Sequence, residues 1–205
     1  MSPAGGNGLH HAVGCRILGR HLSRNGASGV VLPDRSLGET GGVDITCSRN
    51  GRASAIKVKA DPYCGTDAGK IADRELVFYR REGSDYAFEA ISHHVTRQPG
   101  WIFNSEADDL YYYFLALGQP EKEIAALLDE PDEVFFGELK VDRDDLHVIK
   151  MAPLRTWFED NFERYTPRPV LVGDHSAWYR IVPRATLAAA VPIAVGGPVF
   201  AAISR

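Results

Sequence analysis

The sequence predicts a single α/β domain in which a mixed β-sheet is flanked by helices. Two local patterns indicate this class: apolar residues at helical spacing open the chain, and an asparagine-glycine turn then separates two strand-like stretches. The 205 residues, 44% of them hydrophobic and 24% charged, have the usual composition of a folded domain with a buried core. We place the domain at residues 9–191, after a flexible N-terminus (1–8) and before an apolar tail (192–205) that packs on it as a strand or hairpin.

The first predicted element is an amphipathic helix at residues 9–22. Its apolar positions recur at helical spacing, while arginines occupy the other faces of the helix. These apolar positions are Leu9, Val13, Ile17, Leu18 and Leu22. Asn25-Gly26 is a typical helix stop, and a short strand is expected next, at residues 29–33.

A β-hairpin is predicted to follow, with strands at residues 43–47 and 55–59. Its turn contains Asn50-Gly51, a pair that accepts the positive φ values of a tight two-residue turn. Side chains alternate along a strand, so Lys57, Lys59 and Asp61 should share one face while the apolar residues between them face the core.

The rest of the chain is predicted to contain four further strands and four helices. The strands are expected at residues 75–81, 86–92, 146–151 and 177–182. The helices are expected at residues 105–117, 121–128, 153–165 and 185–191. Ser105 can cap the first of these helices, on which at least one of the three consecutive tyrosines, Tyr111 to Tyr113, should reach solvent or a groove.

The charged hairpin has the residue types that phosphodiester hydrolysis requires. A divalent cation polarises the phosphate and activates water, and hard carboxylate oxygens hold such a cation. Asp44 is the first candidate ligand, Asp61 and Glu89 are further carboxylates, and Lys59 can orient the water or stabilise negative charge. The alternative is that Asp44 forms a cross-strand ion pair with Lys57 or Lys59, and that Glu89 is a solvated strand residue.

The order of these elements resembles the core of the PD-(D/E)XK nuclease superfamily. The similarity extends to a phage and bacterial branch of it through four short motifs and two C-terminal phrases. The motifs are Lys59-Ala60-Asp61, Gly65-Thr66-Asp67, Phe88-Glu89 and Ser105-Glu106-Ala107-Asp108, and the phrases lie at residues 151–157 and 178–183.

The resemblance implies a restriction-endonuclease-like core and a Mg²⁺-dependent DNA endonuclease, with Mn²⁺ as a substitute ion. By this analogy Asp44, Asp61 and Glu89 would bind the metal, and Asp44, Lys57 and Lys59 would be the catalytic residues. Many nucleases of this fold act as dimers, so a dimer is also an expectation, although no segment marks a dimer surface.

This sequence departs from the superfamily at one position. The acid that usually stands two residues before the catalytic lysine falls on Lys57, a cation that repels metal ions. Either the missing acid is supplied by Asp61, Glu75 or Glu89, or the fold persists without catalysis. In the second case Lys57 and Lys59 contact phosphates, and the module binds nucleic acid or a protein partner.

Charge is unevenly distributed along the chain, although the net value is only −4. Residues 1–59 are locally basic and acids accumulate between residues 121 and 145, so a polyanion could approach one side only; ordinary solvated charge is the alternative. Histidines near a phosphate could be ligands or general bases, or simply surface residues. They are His10, His11, His21, His93 and His94.

The cysteine and glycine patterns indicate which cofactors and which cellular compartment to expect. Cys15, Cys47 and Cys64 show no CxxC spacing, which argues against a zinc site or disulfide framework and favours the cytoplasm. We detect no secretory signal, and no membrane partner is expected because the apolar tail is too short and too interrupted to span a bilayer. The glycine-rich segments lack phosphate-loop and dinucleotide patterns, so no organic cofactor is expected.

Overall fold

The computed structural model describes residues 7–32, 42–62, 85–172 and 175–204. Its contacts group the chain into two compact units, a division that the expected single domain did not include. The first unit comprises residues 1–62, 106–148 and 194–205, and the second comprises residues 63–105 and 149–193. The protein is therefore α/β, but with two sheets rather than one.

The described elements are numbered in chain order. The strands are β1 (Ser28–Val31), β2 (Ile45–Arg49), β3 (Arg52–Asp61), β4 (Tyr86–His93), β5 (Gln98–Pro99), β6 (Asp109–Leu117), β7 (Val141–Lys150), β8 (Pro167–Val172), β9 (His175–Val182) and β10 (Ile193–Gly197). The helices are α1 (Asn7–Arg24), α2 (Trp101–Asn104), α3 (Glu121–Leu127), α4 (Asp132–Glu138), α5 (Met151–Asn161), α6 (Arg184–Ala188) and α7 (Phe200–Ile203).

The first sheet has six strands in the order β1-β2-β3-β6-β7-β10. The predicted hairpin is confirmed: β2 and β3 pair antiparallel with Ile45 opposite Ile56, and Asn50 and Gly51 have φ values of 52° and 74° in the turn between them. Strand β6 lies parallel to β3 on the other side. The hairpin thus lies between β1 and β6 in the sheet.

Helix α1 packs against β3 through the face that the sequence predicted. Its five predicted apolar positions are all buried in the core of this unit. The helix approaches β3 closely at Gly14, where an added Cβ would lie 2.8 Å from the Cβ of Ala60. The helix begins at Asn7, so Asn7 and Gly8 are helical rather than part of the expected flexible N-terminus.

The predicted helix at residues 105–117 is wrong, because residues 109–117 form strand β6. Seven consecutive residues of this strand are buried, so both of its faces are covered. The hydrophobic and aromatic run that starts at Leu110 satisfies helical spacing as well as strand spacing, and β-propensity with burial on both faces decides for the strand. The solvent-facing tyrosine that we expected is also wrong, since Tyr111, Tyr112 and Tyr113 are all buried.

The second unit has a four-stranded antiparallel sheet in the order β5-β4-β9-β8. Aromatic rings fill its core: Phe88 on β4 packs edge-on against Trp101 and Phe158, with ring centroids 6.0 and 5.5 Å away. Helix α5 begins at Met151, two residues before the predicted start at Pro153.

Several elements match their predictions, and some were not predicted. The strands at 29–33, 86–92, 146–151 and 177–182 and the helices at 121–128 and 185–191 correspond to described elements. Helices α2 and α4 and strands β5 and β8 had no prediction, and the apolar tail is strand β10 followed by helix α7. The predicted strand at 75–81, the Gly65-Thr66-Asp67 motif, Cys64 and Glu75 lie outside the described residues.

None of the helices in the described part of the chain is both long enough and apolar enough to cross a membrane.

Candidate functional site

Asp44 enters the six-stranded sheet immediately before β2. Its backbone N–H donates to the Ile56 carbonyl at 2.8 Å, which extends the hairpin ladder by one residue and sets Asp44 across from Lys57. The turn at Asn50-Gly51 fixes this register, because a one-residue slip would turn every side chain of the strand to the other face.

The Asp44 carboxylate is buried, and both of its oxygens have partners. Oδ2 accepts a hydrogen bond from the Val58 backbone N–H at 2.7 Å and lies 3.2 Å from Lys57 Nζ. Oδ1 lies 3.2 Å from His11 Nε2 on helix α1. Lys57 is only 3% exposed and Asp44 only 4%, so this is a buried ion pair rather than a solvated cross-strand contact.

His11 connects the carboxylate to a thiol on the same helix. Its Nε2 lies 3.6 Å from Cys15 Sγ, one helical turn further along α1, and its side chain is 37% exposed. Burial alone would lower the pKa of His11, but the hydrogen bonds to Asp44 and Cys15 outweigh it and raise the pKa to about 10. At neutral pH His11 is therefore a second cation beside Asp44. We refer to Asp44, Lys57, His11 and Cys15 as the Asp44 cluster.

The same contacts also change the pKa of Asp44. Burial would raise the pKa of Asp44, but His11, the Lys57 charge and the Val58 N–H together hold it below its usual value. Asp44 is therefore ionised at neutral pH.

The other two charges of the predicted face, Lys59 and Asp61, are not a solvated group either. Asp61 is 2% exposed and accepts a hydrogen bond from Tyr112 Oη at 2.5 Å, while Lys59 is half-buried. Lys59 and Asp61 follow Lys57 at two and four residues along the strand, and Asp61 is thus about 13 Å further on at 3.3 Å per residue. The strand buries both faces, whereas we expected only its apolar face to be in the core.

Glu89 belongs to the second unit, on strand β4. Its Oε2 accepts a hydrogen bond from Tyr179 Oη at 2.8 Å, and its Oε1 accepts one from the Trp101 backbone N–H at 3.4 Å. Both contacts tie Glu89 into its own sheet and to helix α2, so it is not the solvated strand residue of our alternative.

The donor set around Asp44 does not fit a divalent cation. Both Asp44 oxygens are engaged, and the side chains 3.2 Å from them are two cations, the ammonium of Lys57 and the imidazolium of His11. Among residues 7–32, 42–62, 85–172 and 175–204, no three His, Cys, Asp or Glu side chains are grouped to hold a metal ion.

Two of the three arginines of α1 contact the acidic part of the chain. Arg16 forms an ion pair with Asp132 at 2.8 Å and lies over the Phe135 ring, and Arg20 lies over Phe136. The local excess of basic residues in the sequence is therefore partly neutralised by the segment that carries the excess acid.

Sequence reasoning identified Asp44 and Lys57 but missed the roles of His11 and Cys15. The signal was present, since positions 11 and 15 lie on one face of the predicted helix. What the sequence could not indicate was which β-strand residue that face would meet. Of the other histidines, His93 and His94 stack on His175 and Trp178 in the second unit, with ring centroids 4.4 and 4.7 Å apart.

Comparison with known proteins gives no assignment: no protein family matches the chain, and no curated protein or solved structure is significantly similar to it.

Proposed function

We propose that this chain is a nuclease-like protein that binds nucleic acid without metal-dependent cleavage. The order of elements supports the restriction-endonuclease-like core: a helix packs on a sheet in which the Asp44 hairpin is followed by a parallel strand. The helix and the hairpin are among the elements on which the resemblance to the PD-(D/E)XK superfamily was drawn. Its other two elements differ, because the Glu89 strand belongs to the second unit and the expected helix at residues 105–117 is strand β6.

The observation that carries the proposal is the distance of 3.2 Å between Lys57 Nζ and Asp44 Oδ2. By the resemblance, Lys57 stands where the superfamily keeps its second acid, so a cation faces Asp44 at the position of a metal ligand. A buried ion pair of this kind satisfies Asp44 without a metal. The ammonium of Lys57 thus takes the place of a metal ion as the counterion of Asp44.

Phosphate is the ligand chemistry that the surroundings favour. Lysine and protonated histidine donate charge-assisted hydrogen bonds to phosphate oxygens. Among the described residues, His11 contacts Asp44 and is partly exposed, and Lys59 is a half-buried cation two residues beyond Lys57 on β3. We therefore propose DNA or another nucleic acid as the partner and, from the cysteine pattern, the cytoplasm as the location.

The alternative function is a Mg²⁺-dependent DNA endonuclease. Asp61 favours it, because this second buried carboxylate shares a strand face with Lys57 and Lys59. In this alternative Lys57 would have to leave Asp44 before a metal could bind.

Calorimetric titration with Mn²⁺ and Mg²⁺ separates the two functions. We expect no binding to the wild type at millimolar concentration. We expect Lys57→Glu, which restores the missing acid, to gain Mn²⁺ binding and a Mn²⁺-dependent rise in Tm. Lys57→Gln, which removes the cation without adding an acid, is the matched control and should gain neither.

DNA binding is tested separately, by fluorescence anisotropy of labelled single- and double-stranded oligonucleotides with EDTA present. We expect binding that weakens as salt increases, because phosphate contacts release counterions, and that weakens further in Lys59→Gln. Wild-type metal binding with Mg²⁺-dependent cleavage would support the endonuclease instead. Absence of both DNA and metal binding would contradict both functions.

A further inference from the structure

The second unit contains a pocket of about 450 Å³. This volume lies within the range of about 300–1,000 Å³ that is usual for small-molecule sites. Its lining combines three aromatic rings with three charged side chains: Phe103, Phe162, Trp178, Arg97, Arg180 and Glu159. None of these residues belongs to the Asp44 cluster, so the pocket is a different candidate site from the one on which the proposed function depends.

Arg180, on strand β9, is the unusual member of the lining. Its Nε and Nη1 atoms are buried, and within the described part of the chain neither has a hydrogen-bond partner. The guanidinium lies 5.6 Å from the centre of the Phe162 ring, and burial lowers its pKa. A buried donor without an acceptor is costly, so a ligand that brings an acceptor would be stabilised here.

A second feature lies at the rim of the pocket. Arg97, which is exposed, has a φ of 56°, a left-handed conformation that is uncommon for a residue with a side chain. Arg97 lies in the turn between β4 and β5, which accounts for this φ, and its side chain lines the pocket. Two arginines from different segments therefore contribute to one pocket.

The aromatic residues define the rest of the ligand. Trp178 stacks on His94 with the ring planes 5° apart, and it also lines the pocket beside Phe103 and Phe162. A small inorganic anion would satisfy Arg180 but leave this aromatic wall in contact with water. A purely apolar molecule would cover the wall but leave the Arg180 donors unpaired. The ligand must have a planar ring and an anionic group.

We propose that this pocket binds a nucleotide, with the base against the aromatic wall and the phosphate accepting hydrogen bonds from Arg180 and Arg97. Glu159, exposed at the rim, supplies an acceptor for the exocyclic amino group of adenine, cytosine or guanine. The nucleotide is either a free monophosphate or one unit of a single strand, which offers the same base and phosphate.

Isothermal titration with AMP, adenosine, inorganic phosphate and a short oligo(dA) tests this inference. We expect AMP to bind at least about tenfold more tightly than adenosine or phosphate, which is the ratio that one stacked base or one charge-assisted hydrogen bond supplies. Tighter binding of the oligonucleotide than of AMP would identify the single strand as the source, and equal or weaker binding would identify the free nucleotide.

Arg180→Met is the decisive variant, and Arg168→Met is its matched control. Arg168 on β8 is paired with Tyr179, so it lies on the opposite face of the same sheet from Arg180. We expect Arg180→Met to lose AMP binding by about tenfold or more and to melt at a higher temperature without ligand, because two unpaired buried donors are removed. Arg168→Met should bind AMP as the wild type does.

Three results would overturn the inference: no binding of AMP or oligonucleotide, phosphate binding as tight as AMP, or equal AMP affinity in wild type and Arg180→Met. Failure here is distinguishable from failure of the proposed function. Duplex DNA binding that depends on Lys59 and metal binding by Lys57→Glu are measured in the first unit, and Arg180→Met should change neither.

Discussion

Lys57 and Asp44 depend on each other, because each is a buried charge whose counterion is the other. Removing one partner of such a pair costs about 3–5 kcal/mol, since an uncompensated charge is left in the core. For Lys57→Met we expect a loss near the lower end of that range, because His11 still faces Asp44. Urea denaturation monitored by circular dichroism measures it.

The double variant Asp44→Asn/Lys57→Met is the control for this ion pair. It removes both charges, so we expect it to recover most of the stability that Lys57→Met loses. A change of less than about 1 kcal/mol in Lys57→Met, the usual value for an exposed pair, would show that the pair is solvated.

His11 gives the stability a pH dependence of predictable sign. Its pKa is raised from 6.5 to about 10 in the folded protein, so the folded state binds the proton more tightly than the unfolded state. The contribution is fully present below the unfolded value of 6.5 and is lost as pH rises through about 10. We expect the stability difference between wild type and His11→Asn to shrink between about pH 6 and about pH 10.

The titration of His11 can also be followed directly. Its imidazole signals in a ¹H–¹³C NMR spectrum should remain those of the protonated ring at neutral pH. Signals that titrate near the ordinary value would contradict the hydrogen bond to Asp44.

At the scale of elements, the contact between α1 and β3 has no room for a side chain at Gly14. An added Cβ would lie 2.8 Å from the rigid Cβ of Ala60. Overpacking costs about 1–3 kcal/mol, which exceeds the gain of at most about 1 kcal/mol from replacing glycine by alanine in a helix. We therefore expect Gly14→Ala to lower the free energy of unfolding in urea.

Gly137 on α4 is the matched control, because an added Cβ there meets nothing within 4 Å. Only the helix propensity remains, so Gly137→Ala should stabilise the protein by up to about 1 kcal/mol. If Gly14→Ala stabilised as much as Gly137→Ala, the close packing of α1 on β3 would be wrong.

Local chemistry explains which elements the sequence could predict. Helix α1 has an apolar face with polar faces beside it, and the Asn50-Gly51 turn has one strongly preferred geometry, so both follow from short-range rules. Strand β6 carries only apolar and tyrosine side chains after Asp109, and its two strand neighbours come from distant parts of the chain. Its identity depends on those long-range partners, which no local pattern indicates.

For the whole molecule, connectivity determines how the units should unfold. The chain passes between the two units four times, so the segments of each unit are held at their ends by the other. If one unit unfolds, the segments of the other unit are no longer held at these ends. The conformational entropy that the other unit must lose to stay folded is then larger. We expect one cooperative transition.

The tryptophans make this expectation measurable. All three, Trp101, Trp157 and Trp178, belong to the second unit, so their fluorescence reports on that unit. Gly14→Ala lies in the first unit, and we expect it to shift the fluorescence and far-UV circular dichroism transitions equally. A shift in circular dichroism alone would show that the units unfold independently.

The candidate site was predictable only in part at this scale. Asp44 and Lys57 are related by one tight turn, so their pairing could be weighed as an alternative from the sequence. The assignment of Glu89 to a second unit could not, because each unit is assembled from segments far apart in the chain. The pocket at Arg180 was missed for the same reason: its lining comes from three separate stretches.

The turn at Asn50-Gly51 has a consequence for the lifetime of the protein. An asparagine followed by glycine is the pair most prone to deamidation, because the glycine backbone nitrogen can attack the side-chain amide without hindrance. The isoaspartate that results adds one carbon to the main chain, inside the turn that keeps Asp44 opposite Lys57. We therefore expect deamidation in this exposed turn to weaken a buried ion pair several residues away. Mass spectrometry of stored protein would measure the rate of the deamidation.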